Sequence, residues 1–124
     1  MKAFLRRRLT IEELRNALGK ENTEMISRIY FGEYEEEGEI ISNIDEEIPL
    51  KVARRLLSRK MTQLIELIKK EELSISEIAY KLNRSPSNIW KDLHLLAKYK
   101  IIDIEKYGKR VIPQLLVEEI IIKI

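Results

Sequence analysis

The side chains best suited to chemistry crowd into one stretch, Arg84-Ser85-Pro86-Ser87-Asn88-Ile89-Trp90-Lys91-Asp92-Leu93-His94. Hydroxyls and a carboxamide can donate to and accept from base edges, and cations can neutralise phosphate. Lys106, Lys109 and Arg110 add a second basic group a short way downstream. Catalysis has much less material. The chain has no cysteine and one histidine. That excludes a disulfide framework, a thiol nucleophile and Cys-based zinc or iron–sulfur sites. It also leaves a Ser-His-Asp triad or a His-rich metal site with little to work with. No nucleophile–base pair, phosphate-binding Gly loop or metal-ligand cluster stands out. The expectation is a binding protein without cofactor, metal or enzymatic activity.

These residues need a helix to present them. Ser74 with Glu77 forms a capping-box pattern, and Ile75, Ile78, Ala79 and Leu82 follow on one apolar face. Asn83 suits the left-handed conformation that ends a short helix. Ser85 then serves as a second N-cap, with Pro86 at the first helical position. Ile89, Leu93 and Leu96 form the buried stripe of that second helix. Ala79 is small where two helices must approach closely. A capped short helix, a turn of about three residues and a second capped helix make a helix-turn-helix.

At about 100° per residue, the side opposite Ile89 holds Ser87, Lys91, His94 and Lys98. Asn88 and Trp90 lie on the flanks. The N-terminal part of such a helix enters the major groove. Ser87 and Asn88 are expected to bond base edges or phosphates, and Lys91 a guanine or a phosphate. The first-turn amides are expected to hold a phosphate. His94 reads as a surface or DNA-backbone residue, Trp90 as packed against neighbouring elements. Asp92 would repel phosphate, so it is expected to orient a basic neighbour or pair with a nearby helix.

Beyond Tyr99 the pattern turns β-like. Ile101, Ile102 and Ile104 favour a strand, Tyr107-Gly108 marks a turn, and Val111-Ile112 returns. Lys106, Lys109 and Arg110 surround the tip. A basic hairpin directly after the second helix reads as a wing over residues 105–111, placed on the phosphate backbone or in the minor groove. The bland alternative is a solvated basic hairpin.

The rest of the chain carries weaker signals. Thr10-Ile11-Glu12-Glu13 is a capping-box pattern ahead of a helix over 11–18, and Gly19 is a plausible stop. Residues 25–31 read as a strand, Glu33 to Glu39 as an acidic turn, and Ile40-Ile41 as the start of a returning strand. Pro49 suits the first turn of a helix. Met61, Leu64, Ile65 and Ile68 make a buried stripe. One long bent helix over 49–71 and two shorter ones meeting near Ser58 remain equally compatible with the pattern.

Length and charge bound the whole. With 124 residues the chain is one domain by size and can bury a core without staples. Its formal charge of +2 taken alone argues against nucleic acid. By segment it is +4 over 1–10, −9 over 11–50, +4 over 51–73, +4 over 74–110 and −1 over 111–124. Such blocks mark function more often than a total does. The expected boundaries are an acidic N-terminal extension over 1–50, a dimerisation or partner surface, and a DNA-binding domain with a terminal strand over 51–124. The acidic 33–47 block is expected to keep one side away from phosphate or to meet a basic partner. No apolar run reaches the ~18 residues of a membrane span, and Met1–Arg8 lacks the apolar stretch of a signal peptide. The expectation is a cytoplasmic protein with no membrane partner. Lys/Glu enrichment without cysteine fits a thermophile, although an AT-rich genome gives a similar bias.

Residues 58–112 resemble the winged helix-turn-helix domain of bacterial and archaeal transcription regulators, MarR/ArsR-like with a DeoR-like element. The resemblance rests on Leu73-Ser74-Ile75-Ser76-Glu77-Ile78-Ala79 and on Arg84 to Leu93. The tail, Val111-Ile112-Pro113 and then Glu118 to Ile124, is similar to a small archaeal family of predicted regulators. It implies an α+β fold: a winged helix-turn-helix domain with an N-terminal extension and a C-terminal β-strand. It also implies a sequence-specific regulator of double-stranded DNA, acting as a homodimer. Its recognition helix would be 86–99, and its contacts would come from Arg84, Ser85, Ser87, Asn88, Lys91, His94, Lys106, Lys109 and Arg110. The competing reading is a winged helix used for protein contact, or an antitoxin-like autoregulator that binds both its promoter and a partner.

Overall fold

The structure is a computed structural model and describes residues 1–10, 33–34 and 40–124. Among these it is a mixed α+β chain with four helices and two antiparallel sheets. In order these are β1 (Lys2–Thr10), β2 (Glu33–Tyr34), β3 (Ile40–Ile48), α1 (Leu50–Leu56), α2 (Arg59–Lys70), α3 (Ile75–Leu82), α4 (Pro86–Lys98), β4 (Ile102–Tyr107), β5 (Arg110–Leu115) and β6 (Glu119–Lys123). Two compact units result: a sheet unit of residues 1–48 with 118–124, and a helical unit of residues 49–117. No described helix is long and apolar enough to cross a membrane.

The sheet unit has strand order β2-β3-β1-β6. Its register pairs Ala3 with Ile48 and Ile122, and Leu5 with Glu46 and Ile120. Period-two alternation therefore puts Ala3, Leu5, Ile48, Ile120 and Ile122 on one face, where Ala3 and Leu5 are fully buried. The other face carries Arg6 between two acids. Its guanidinium meets Asp45 through Nε–Oδ1 at 2.7 Å and Nη2–Oδ2 at 2.9 Å, and Glu119 Oε2 at 3.2 Å. The hydrogen bond from Arg6 holds the Asp45 carboxyl below its ordinary range.

This unit corrects several expectations. Met1–Arg8 carried no strand signal, yet β1 is an interior strand of the sheet, between β3 and β6. Glu33–Tyr34, placed in an acidic turn, form a short strand against Ile40–Ile41. The returning strand at Ile40 continues to Ile48, because its acids Asp45 and Glu46 have arginine partners on β1. The terminal strand was grouped with the DNA-binding domain over 51–124. It pairs with β1 instead, and the boundary near residue 50 falls between Ile48 and Pro49. The helix over 11–18 and the strand over 25–31 lie outside the described residues, as does 35–39 of the acidic turn.

The helical unit follows the local signals closely. Pro49 precedes α1 as its N-cap with φ −58°, and Val52, Ala53 and Leu56 are buried. Ser58 is extended between α1 and α2, so there are two helices and not one bent one. Met61, Leu64 and Ile68 bury one stripe of α2. The capping box at α3 is complete: Glu77 N donates to Ser74 Oγ at 3.3 Å, and Ser74 N donates to Glu77 Oε1 at 3.2 Å. Asn83, at φ 52° and ψ 49°, ends α3. Two bonds close that end, Arg84 N to Ala79 O at 3.0 Å and Asn83 N to Tyr80 O at 3.2 Å. This is the paired bonding of a left-handed helix stop. Alanine at 83 would carry a left-handed strain of about 1–2 kcal/mol. Asn83→Ala is therefore expected to lower stability by about 1 kcal/mol, read from the urea midpoint, with Asn83→Gly unchanged or better.

Helix α4 begins at Ser85, whose Oγ accepts from Asn88 N at 3.3 Å, with Pro86 in the first turn. Ile89, Leu93 and Leu96 are fully buried. Burial of side chains this size contributes roughly 1.5–3 kcal/mol each. Lys100, at φ 52°, repeats the left-handed stop, with Ile101 N donating to Leu96 O at 2.9 Å. The chain then enters β4 and β5, which pair from Ile102↔Leu115 to Tyr107↔Arg110. Gly108 has φ 63°, the positive value that a two-residue hairpin turn needs at its first central position. Alternation from the Tyr107↔Arg110 closing pair puts Pro113 at a non-hydrogen-bonded site opposite Ile104, where its missing N–H costs nothing.

Candidate nucleic-acid interface

Burial of Ile89, Leu93 and Leu96 fixes how α4 is rolled, and that decides what it shows outward. Ser85, Ser87, Asn88, Lys91, His94 and Lys98 are all exposed. No described residue pairs with the side chains of Asn88 or Lys91. Ser87 Oγ lies 3.3 Å from Ser85 Oγ. The first turn offers less to an anion than the sequence suggested. Pro86 has no N–H and the Asn88 amide is taken by Ser85, so among these three positions only the Ser87 amide is left unpartnered.

Trp90 departs from its expected packing and is 40% exposed. Its ring meets His94 edge-on, with centroids 4.8 Å apart. His94 Nδ1 also lies 3.1 Å from the Trp90 carbonyl oxygen. A neutral ring that donates there keeps Nε2 as an acceptor. Its flank position about 100° from Ile89 was the available signal.

Arg84 is where the structure changes the site most. It was expected among the DNA contacts, but its side chain is mostly buried. Its Nη2 donates to Asp92 Oδ2 at 2.6 Å, and Arg55 of α1 reaches Asp92 Oδ1 at 3.6 Å. Asp92 therefore holds the turn between α3 and α4 and reaches back to α1, the bracing role expected of it. Arg84 belongs to that brace and not to the exposed face.

The hairpin divides in the same way. Lys106 and Lys109 are exposed and pair with no described residue. Arg110 is exposed too, but its guanidinium is paired with Glu77 of α3. This pair ties the turn end of the hairpin to the capping box. Two hydrogen bonds from Ser74, and then Arg110, hold the Glu77 carboxyl below its ordinary 4.5. A depressed carboxylate contributes stability that is complete above its unfolded pKa and is lost as pH falls through the folded value. Glu77→Gln is expected to flatten the loss of stability below pH 4.5 while changing little of its slope at neutral pH, as read from urea unfolding across pH. An unchanged acid slope would contradict this.

Charge is segregated between the units. Residues 49–117 hold 15 Lys and Arg against 7 Asp and Glu, a net of +8. The remainder holds 8 against 14, a net of −6. Among the described residues no cluster of His, Asp and Glu could hold a metal ion.

The profile of the HVO_A0114 family matches residues 56–122, more than half of the chain. The chain belongs to the HVO_A0114 family. The match runs from the end of α1 through the brace, the exposed face of α4 and the hairpin, and into β6. No curated protein matches the chain.

Proposed function

We propose that this protein is a sequence-specific regulator of transcription that binds double-stranded DNA through a winged helix-turn-helix. Helices α3 and α4 form the helix-turn-helix, α4 reads the major groove, and β4–β5 is the wing on the backbone or in the minor groove. The observation that carries this reading is Asn88 and Lys91, exposed and with no side-chain partner among the described residues, on a helix whose opposite face is fully buried, within a unit of net +8. Size supports it as well. A helix with side chains is about 10–12 Å across, and the major groove is about 12 Å wide. Asn bonds adenine in two places and Lys bonds guanine. Lys106 and Lys109 are point charges suited to phosphate.

The experiment is a fluorescence-anisotropy titration with duplex DNA from about 50 to 200 mM salt. Binding should weaken with salt along the straight log–log slope of counterion release. Lys106→Ala with Lys109→Ala should lower affinity on every sequence and reduce the slope by about one to two. A salt-independent or absent signal favours the second reading, a winged helix for protein contact or an autoregulator that also binds a partner. The net −6 of residues outside the helical unit is the observation on that side.

A further inference from the structure

The free edge of the sheet unit carries a pattern that fits a copy of itself. Strand β6 ends the order β2-β3-β1-β6, so one side of its backbone has no strand beside it among the described residues. It is short, lacks Gly and Pro, and reads Glu119-Ile120-Ile121-Ile122-Lys123. Such an edge is a template for another strand unless it is blunted. Ile122 is 40% exposed, and the charges sit only at the two ends.

The rows that cross the sheet show what the edge lacks. One runs Asp45, Arg6, Glu119 and alternates in sign, reaching the edge on an acid. The other pairs Lys2 directly with Lys123, so that row reaches the edge on a cation, with Asp45 in the neighbouring rows the acid that feels Lys123. Like charges placed opposite one another are destabilising. Lys123 lies 4.9 Å from the Phe4 ring centroid, which softens the repulsion without cancelling it. Glu119, Ile121 and Lys123 share this face.

We infer that the protein self-associates through β6, two copies pairing antiparallel about a two-fold axis at Ile121. That register sets Glu119 opposite Lys123 of the second copy and Lys123 opposite its Glu119. Ile120 then faces Ile122 of the second copy, and Ile121 faces itself. Each acidic row runs on into the other copy's cationic row. The result is a continuous antiparallel sheet with no free edge at β6. A slip by one residue would break both charge pairs and set apolar against charged faces. The partner is a second copy of this chain, and the inference is independent of DNA binding.

The test is sedimentation and native mass spectrometry of the full chain without DNA at about 200 µM, since a short interface needs concentration. The wild type should be a dimer. Lys123→Glu alone and Glu119→Lys alone should each be monomeric, with unchanged circular dichroism. Mixed one to one, the two variants restore both charge pairs and should form the heterodimer. The chain lacks cysteine, so Ile121→Cys under mild oxidant should give a covalent dimer. Glu118→Cys should not, because its thiols lie about 20 Å apart in this register. A monomeric wild type, variants that stay dimeric, or cross-linking at 118 in place of 121 would each overturn the inference.

Discussion

Replacing Lys91 and Asn88 together with alanine is expected to weaken binding to the cognate site by about 10²-fold or more, and binding to random duplex by less than about tenfold. On the proposed reading each would remove a base contact worth about 1–3 kcal/mol of discrimination, and about 1.4 kcal/mol is tenfold. Neither side chain bonds to another described residue, so its loss should leave the fold untouched. Competition anisotropy with cognate and random duplexes measures both numbers. Equal losses on the two would show that α4 contacts only phosphates.

Asp92→Ala is expected to cost about 2–3 kcal/mol of stability, somewhat under the ~3–5 of a fully buried pair with one partner removed. Asp92 and Arg84 have side-chain exposures of only 13% and 17%. Without the carboxylate, the Arg84 guanidinium sits in the turn with its charge uncompensated. Its Nη1 is already buried without a hydrogen bond among the described residues. The double variant Asp92→Ala/Arg84→Met should recover part of the loss, because the stranded charge leaves with the arginine. Urea unfolding of the two variants decides the matter. A loss under about 0.5 kcal/mol would mean the brace carries no weight.

Both predictions depend on distinguishing exposed cations from engaged ones, and the sequence showed only part of that distinction. Helices α3 and α4 were legible because their signals are local. Ser74 with Glu77, Asn83, and Ser85 with Pro86 act within a few residues of one another. The rotation of α4 followed from Ile89, Leu93 and Leu96. Arg84 and Arg110 look like any other surface cations in the sequence. Their partners Asp92 and Glu77 lie 8 and 33 residues away.

The sheet unit was the harder part for the same reason. Lys2–Thr10 pairs with residues about 40 and about 115 positions further on. Phe4 and Leu5 point to opposite faces, and three arginines follow, so no clean alternation marks the strand. The basic start and the acidic block looked like separate charge features. Arg6 with Asp45, and Arg7 with Glu46 at 3.0 Å, make them two sides of one ladder. The lone charges of the N-terminal stretch are therefore partly spent inside the sheet. Among the described residues, the basic character of the helical unit is not offset in this way at Lys91, Lys106 and Lys109.

The central claim, that the exposed face of α4 reads DNA sequence, is tested most directly by selection from a random duplex library with the purified protein. The account predicts one enriched motif, bound tightly by the wild type and lost from the pool recovered with Asn88→Ala/Lys91→Ala. Recovery of an unenriched pool by the wild type, or of the same motif by that variant, would contradict it.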